Sequence, residues 1–270
     1  MPARDPRGKV VVITGATGGL GAAMARAFAA RGARLGLLDL DGAACAALAA
    51  ELTGKGSECA HAACDVTDPA ACEAGITHVA GALGGLDVLV NNAGITQRSA
   101  FVDTDLAVYR KVMEVNFFGS LHCTRAALPH LKASRGQVIV ISSVAGFAPL
   151  LGRTGYCASK HALHGFFDTL RAELAPDGVG VLIVSPSFIR TDINVNALDG
   201  DGSRTRHPQS TVGKVMGPAE AAAKIVDASR RDRRFLPLGR VAVVTRLLTA
   251  LWPRLYERLM VRSVGSELER

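Results

Sequence analysis

This sequence predicts an α/β fold: a single-domain, doubly wound parallel sheet with helices on both faces, followed by a basic amphipathic helical extension at the C-terminus. Three observations predict it. Short apolar runs without polar alternation recur along the chain, as strands buried on both faces require. Alanine-rich stretches separate them, and alternation of strand with helix is the sequence form of a parallel sheet covered on both sides. No repeat, low-complexity tract or Pro/Ser-rich linker divides the 270 residues, and 49% hydrophobic content with a mean hydropathy of +0.23 can fill one core of that size.

Residues 9–13, Lys9-Val10-Val11-Val12-Ile13, read as the first buried strand. It runs straight into Thr14-Gly15-Ala16-Thr17-Gly18-Gly19-Leu20-Gly21 and then an alanine-rich helix over 22–31. Strand, glycine turn and helix together form the context a dinucleotide loop needs. Glycines let the backbone approach a pyrophosphate, and the helix N-terminus offers N–H groups and a positive dipole end. The spacing is not Gly-x-Gly-x-x-Gly, so an ordinary strand-to-helix turn stays open from this segment alone. The second strand, 34–39, ends at Asp39, 24 residues after Gly15, where a carboxylate would take the adenosine ribose hydroxyls. No Lys or Arg lies in 15–21 or 35–54 to neutralise a 2′-phosphate, so the cofactor expected is NAD rather than NADP. Further strands are expected at 86–91, 137–142 and 179–185. The least regular part, about 188–216, with Asp199-Gly200-Asp201-Gly202-Ser203 at its centre, reads as a substrate lid or a surface loop. Residues 1–239 then make the NAD-binding catalytic domain and 240–270 a helical extension of the same domain.

The chemistry is concentrated at Tyr156 and Lys160. Four apart on a helix whose start suits Thr154-Gly155, phenol and ammonium share one face. A neighbouring ammonium favours the phenolate and is expected to lower the tyrosine pKa toward a useful acid–base range.

In this order and context the motifs resemble the short-chain dehydrogenase/reductase family, over roughly residues 7–238. Thr14-Gly15-x-x-x-Gly19-x-Gly21 is similar to its cofactor loop, Asp65-Val66 to its adenine contact and Asn91-Asn92-Ala93-Gly94 to its turn after the fourth strand. Asn116 in Val115-Asn116-Phe117 matches the family asparagine. Ser143, thirteen residues before Tyr156 and preferred over its neighbour Ser142, matches the serine. Pro186-Ser187-Phe188-Ile189-Arg190-Thr191 resembles the segment over the nicotinamide, with Ser187 where the family has Gly. The resemblance implies a Rossmann-type fold and a catalytic set of Asn116, Ser143, Tyr156 and Lys160. It implies cofactor contacts from Gly15, Thr17, Gly18, Gly19, Leu20, Gly21, Asp39, Asp65, Val66, Asn92, Ala93, Gly94, Pro186, Ile189 and Thr191, shared with Tyr156 and Lys160. It also implies a homodimer or homotetramer, with the helices around 105–131 and 155–175 as interfaces.

The function expected is hydride transfer between NAD(H) and a secondary alcohol or ketone. Phe147-Ala148-Pro149-Leu150-Leu151 and the apolar C-terminus lean it toward a lipophilic, steroid-, retinoid- or long-chain-like substrate. A catalytically silent NAD-binding regulatory protein is the alternative, but it would have no need of all four catalytic residues. A nucleotide-sugar epimerase or dehydratase would carry a further substrate domain.

Six cysteines show no pattern of pairing, and the first strand begins too near Met1 to leave room for a cleavable apolar signal, so reduced thiols and a cytoplasmic setting are expected. His161 and His164 share a helix face without carboxylate or thiolate partners; no metal is expected. Between Arg230 and Arg262 nine Arg face only Asp232 and Glu257, which accounts for the net charge of +7, the remainder being balanced at 22 basic and 22 acidic residues. The same segment is apolar at helical spacing, with a break at Pro253. It is too short and too interrupted to span a bilayer. One reading of 240–262 is peripheral contact with an anionic membrane; the other is packing on a subunit or over the pocket. Few aromatics accompany the charge, so nucleic acid is not expected as a partner.

Overall fold

The computed structural model describes residues 4–191, 193, 195–205 and 210–267. Seven strands form one parallel sheet: β1 (Val10–Thr14), β2 (Arg34–Asp39), β3 (Cys59–Ala63), β4 (Val88–Asn91), β5 (Gln137–Ile141), β6 (Gly180–Pro186) and β7 (Phe235–Leu238). Their order is β3-β2-β1-β4-β5-β6-β7. Pairing is parallel throughout, for example Val12 with Gly36 and Leu89.

The period of two in β1 builds both cores. Val11 and Ile13 point to the layer of α1 (Gly19–Ala29), α2 (Gly42–Thr53) and α7 (Pro218–Arg230), while Val10 and Val12 point to the other. That second layer contains α3 (Pro69–Leu83), α5 (Gly119–Ser134) and α6 (Thr154–Glu173), with α4 (Leu106–Met113) packed on α6. Phe28 and Met24 fill the first core and Phe167, Ile76 and Leu131 the second. Local chemistry starts and stops the helices. Asp41 caps α2 by accepting from the Ala44 N–H, Asp68 caps α3 ahead of Pro69, and Gly84 ends α3 in the left-handed region at φ +73°.

Three features depart from the sequence reading. The helix expected over 105–131 is two helices, α4 and α5, joined by a π-helical turn at Glu114–Phe118. The edge strand β7, Phe-Leu-Pro-Leu, was not anticipated, because four residues with a central proline carry little strand signal. Ser187 does not adopt positive φ. The opposing residue Gly239 does so instead, at φ +101°, and the Ser187 hydroxyl donates to the Leu238 carbonyl at 3.2 Å.

Beyond β7 the chain forms α8 (Arg240–Leu251) and α9 (Pro253–Val264), broken at Pro253. Their inner side meets the body: the Tyr256 hydroxyl donates to the Pro149 carbonyl at 3.0 Å, and the Met260 sulfur accepts from the Leu151 N–H. Their outer side leaves Val244, Leu247, Leu251, Trp252, Leu255 and Leu259 exposed, Trp252 to 58%. No described helix is long and apolar enough to cross a membrane. Of the stretch expected to form a lid, Asp192, Asn194 and residues 206–209 lie outside the described residues, as do 1–3 and 268–270.

Candidate active site

The C-terminal ends of the strands open into one cleft of about 780 Å³. It lies where the strand order reverses between β1 and β4, the crevice that doubly wound sheets use for ligands. Gly15, Thr17, Gly18, Gly19, Leu20 and Gly21 form one wall, with Asp39 at its end. Asp65 and Val66 follow β3; Asn92, Ala93 and Gly94 follow β4 and form the floor.

Close backbone packing explains the glycines. A Cβ on Gly21 would stand 2.1 Å from the Gly15 carbonyl oxygen, and one on Gly15, itself at φ +60°, would stand 2.9 Å from the Ala93 Cα. Asn92 holds the turn by donating to the carbonyls of Thr14 at 3.0 Å and Gly15 at 2.9 Å, and the Thr14 hydroxyl accepts the N–H groups of Asn92 and Ala93. No side chain caps α1, whose first residues line the cleft. A bare helix N-terminus beside a side-chain-free wall, with a carboxylate beyond it, suits a dinucleotide with free ribose hydroxyls. The residues present therefore fit that cofactor.

At the other end stand Ser143, Tyr156 and Lys160. Ser143 follows β5 in extended conformation, its Oγ accepting from the Ala145 N–H at 3.1 Å, and its hydroxyl favours ionisation of the Tyr156 phenol. Tyr156 and Lys160 lie on one face of α6, the ammonium 5.6 Å from the ring centroid. The expected lowering of the tyrosine pKa does not occur. Burial pushes the phenol up to about 12, outweighing the opposing effects of Ser143 and Arg153. Burial also lowers Lys160 to about 8, and its ammonium donates to the Ile141 carbonyl at 2.9 Å. The interaction assumed from the four-residue spacing is thus overridden by desolvation.

Asn116 lies behind the wall rather than on it. Its Oδ1 accepts from the Ile95 N–H at 2.8 Å, while Nδ2 donates to the Ile95 carbonyl and the Ser159 hydroxyl at 2.9 Å. The π turn that interrupts α4 and α5 carries it, in keeping with the use of such turns at functional sites.

A family model described as short chain dehydrogenase matches residues 9–201. The chain belongs to the short-chain dehydrogenase family. Among curated relatives of this dehydrogenase, Bos taurus dehydrogenase/reductase SDR family member 7B is 38% identical over 272 residues, covering 97% of this chain and 83% of that protein. The Danio rerio protein of the same name is 37% identical over 260 residues, covering 93% and 84%. A short-chain dehydrogenase/reductase from Burkholderia phymatum, solved in complex with NAD, matches with a TM-score of 0.81 at 28% identity, over 93% of this chain and 96% of that one. A short-chain dehydrogenase from Streptomyces avermitilis matches with a TM-score of 0.79 at 32% identity, over 94% and 97%.

In this dehydrogenase Pro186, Ile189 and Thr191 also line the cleft, and Thr191 packs on the α1 start, within 3.1 Å of where a Gly19 Cβ would be. The cleft is also lined by Leu150 and Phe188, from segments the sequence singled out, and by Arg153, Ile193, Asn196, Lys111 and Glu114, which the sequence reading gave no site role. No spacing rule points to them, since they come from loops and from helix ends. All six cysteines are free, and Cys64, beside the Asp65 end of the cleft, adjoins a buried contact between Cys72 and Cys123 at 3.5 Å. His161 and His164 do not converge. His161 meets the Cys157 carbonyl and His164 the Ser185 hydroxyl, and among the described residues no group of three His, Cys, Asp or Glu side chains could hold a metal ion.

Proposed function

We propose that this short-chain dehydrogenase is an oxidoreductase that moves hydride between NAD(H) and a secondary alcohol or ketone. The observation that carries the reading is a single cleft with Asp39 and the glycine wall at one end and Ser143, Tyr156 and Lys160 at the other. Bound there, NAD would supply the hydride acceptor or donor. Asp39 would orient the adenosine ribose and repel a 2′-phosphate. Asp65 and Val66 would flank the adenine; Asn92, Ala93 and Gly94 would support the dinucleotide from below, and Pro186, Ile189 and Thr191 would cover it. The NAD held by the Burkholderia relative supports this choice.

Tyr156 would exchange a proton with the substrate oxygen. With its pKa near 12 the phenol is held protonated at neutral pH, the state needed to protonate a carbonyl during reduction. Ser143 would donate to the same oxygen and stabilise the charge that develops on it. Lys160 would hold the nicotinamide ribose, and Asn116 would act from behind the wall by fixing Ile95 and Ser159. Leu150, Phe188 and Ile193, which line the same cleft as Tyr156, favour a lipophilic substrate. The exposed apolar side of α8 and α9, on helices that also carry Arg240, Arg254, Arg258 and Arg262, would rest peripherally on an anionic membrane. The exposed rings of Phe118, in the π turn that leads into α5, and Phe166, on α6, favour those helices as the contact in a homodimer or homotetramer. The test is absorbance of NADH during incubation with secondary alcohols, hydroxysteroids and ketones. NAD binding without turnover of any class would favour the silent regulatory reading.

A further inference from the structure

The last described residue, Glu267, is 2% exposed although it lies at the end of a surface helix pair. Its Oε2 accepts from the Arg153 guanidinium and stands 3.7 Å from Nε of Arg98. Its Oε1 accepts the Ser210 N–H at 2.6 Å. Arg153 and Arg98 are themselves 5% and 3% exposed, so the cluster lies inside the protein. Each partner belongs to a different part of the substrate end. Arg153 starts α6 three residues before Tyr156, lines the cleft and also donates to the Leu151 carbonyl at 3.0 Å. Arg98 follows β4 on the segment whose N–H bonds the Leu198 carbonyl at 2.8 Å.

We propose that Glu267 is a positioning residue of the active site, which fixes the start of α6 through Arg153 and tempers the positive field that Arg153 exerts on Tyr156. A buried guanidinium needs a hydrogen-bonded anion, and a single carboxylate reaching it from the chain terminus fixes its place. Arg153 favours ionisation of the Tyr156 phenol. An anion on the far side of Arg153 opposes that effect and helps keep the proton on the phenol. The C-terminal extension is then part of the catalytic apparatus and not an appendage. Around Tyr156 the other ionisable or polar groups are Cys157 and Lys160 on α6, Ser143 after β5, and Gln97, whose Oε1 accepts the Tyr156 N–H at 2.8 Å; Lys111 and Glu114 line the same cleft. None of these changes in the variants below.

This inference rests on Tyr156 as the proton-handling group only for its effect on rate, and its test needs no turnover. The full chain is labelled with 13Cζ-tyrosine, and Tyr156→Phe identifies the resonance. Glu267→Gln, which removes the charge at nearly unchanged shape and can turn its one amide oxygen to Arg153 while giving up the Ser210 contact, should make the Tyr156 signal titrate about half a pH unit or more lower. Glu267→Ala should raise amide hydrogen exchange across 149–160 by about tenfold, and Glu267→Asp should recover part of it. An unmoved Tyr156 titration in Glu267→Gln overturns the proposal. So does unchanged exchange in Glu267→Ala. Loss of turnover in Tyr156→Phe bears on the proposed reaction alone.

Discussion

The Asp39 carboxylate closes on Thr17: one oxygen accepts both the Thr17 N–H at 2.9 Å and its hydroxyl at 2.7 Å. The tip of β2 is thereby tied to the glycine loop, and the carboxylate is oriented before any nucleotide arrives. A fixed anion there disfavours a 2′-phosphate. Two unit charges 4 Å apart repel by about 4 kcal/mol at an effective dielectric near 20, before screening. Asp39→Ala should lose most discrimination against NADP and also weaken NAD, because Thr17 loses its acceptor. Asp39→Asn should keep the Thr17 bonds and lose the repulsion. Titrations with both nucleotides measure this, and equal affinity of the unmodified protein for NAD and NADP would show that Asp39 does not select.

Tyr156→Phe keeps the ring and removes the proton. Turnover should fall by about 10²–10⁴-fold while NAD binding changes little. The raised phenol pKa fixes the pH dependence: reduction should persist through neutral pH and fail only as the phenol ionises, whereas oxidation should rise as pH increases. Lys160→Ala should weaken cofactor binding and slow both directions. Rates of both reactions against pH test the sign; an oxidation rate that falls from pH 7 to 9 would contradict it.

Much of this was legible in the sequence because it depends on short-range constraints. The β1 run, the glycine loop and Asp39 form one contiguous segment whose spacing is dictated by backbone contact, as the 2.1 Å approach at Gly21 shows. Tyr156 and Lys160 are legible for the same reason, being one helical turn apart. Their ionisation was not, because desolvation depends on everything packed around them and not on their spacing. The π turn at Asn116 was hidden since a single extra residue in a helix leaves hydrophobic periodicity almost intact. Glu267 gave no signal at all: its partners are 114 and 169 positions away in the chain.

His164 should make the protein acid-sensitive. It sits among Phe147, Phe235 and Ser185, with Asp168, His161, Arg171 and Arg246 around it, and burial lowers its pKa to about 4. The unfolded chain takes up this proton near pH 6.5 and the folded one only near 4, so stability is lost as pH falls between those values. The full loss is at most about 3.4 kcal/mol, reduced by solvent screening because the ring is only partly buried. His164→Gln should cost stability at pH 7 and reduce the drop from pH 7 to 4.5. Urea midpoints at the two pH values measure both, and an equal drop in the variant would assign the acid sensitivity elsewhere.

Membrane contact by α8 and α9 should need both charge and apolar surface. Each Arg near an anionic surface adds on the order of 1 kcal/mol, screened by salt, while Leu251, Trp252 and Leu255 add a salt-independent part. The protein should co-sediment with anionic but not neutral vesicles, and Trp252→Ser with Leu251→Ser should abolish binding at high salt. If the unmodified chain stays in solution and the double variant instead loses its oligomeric state, the surface meets another subunit.

The edge strand β7 sets a limit on how copies of this chain can meet. The carbonyls of Arg234 and Leu238 point to β6, where they accept from Ile183 and Ser187, so the intervening Pro237 faces outward. A strand laid along that border would find no N–H donor at Pro237, and the segment leading into β7 carries four arginines, Arg230, Arg231, Arg233 and Arg234. The sheet therefore terminates itself at seven strands on this side. Self-association along this border must be made of side chains meeting side chains.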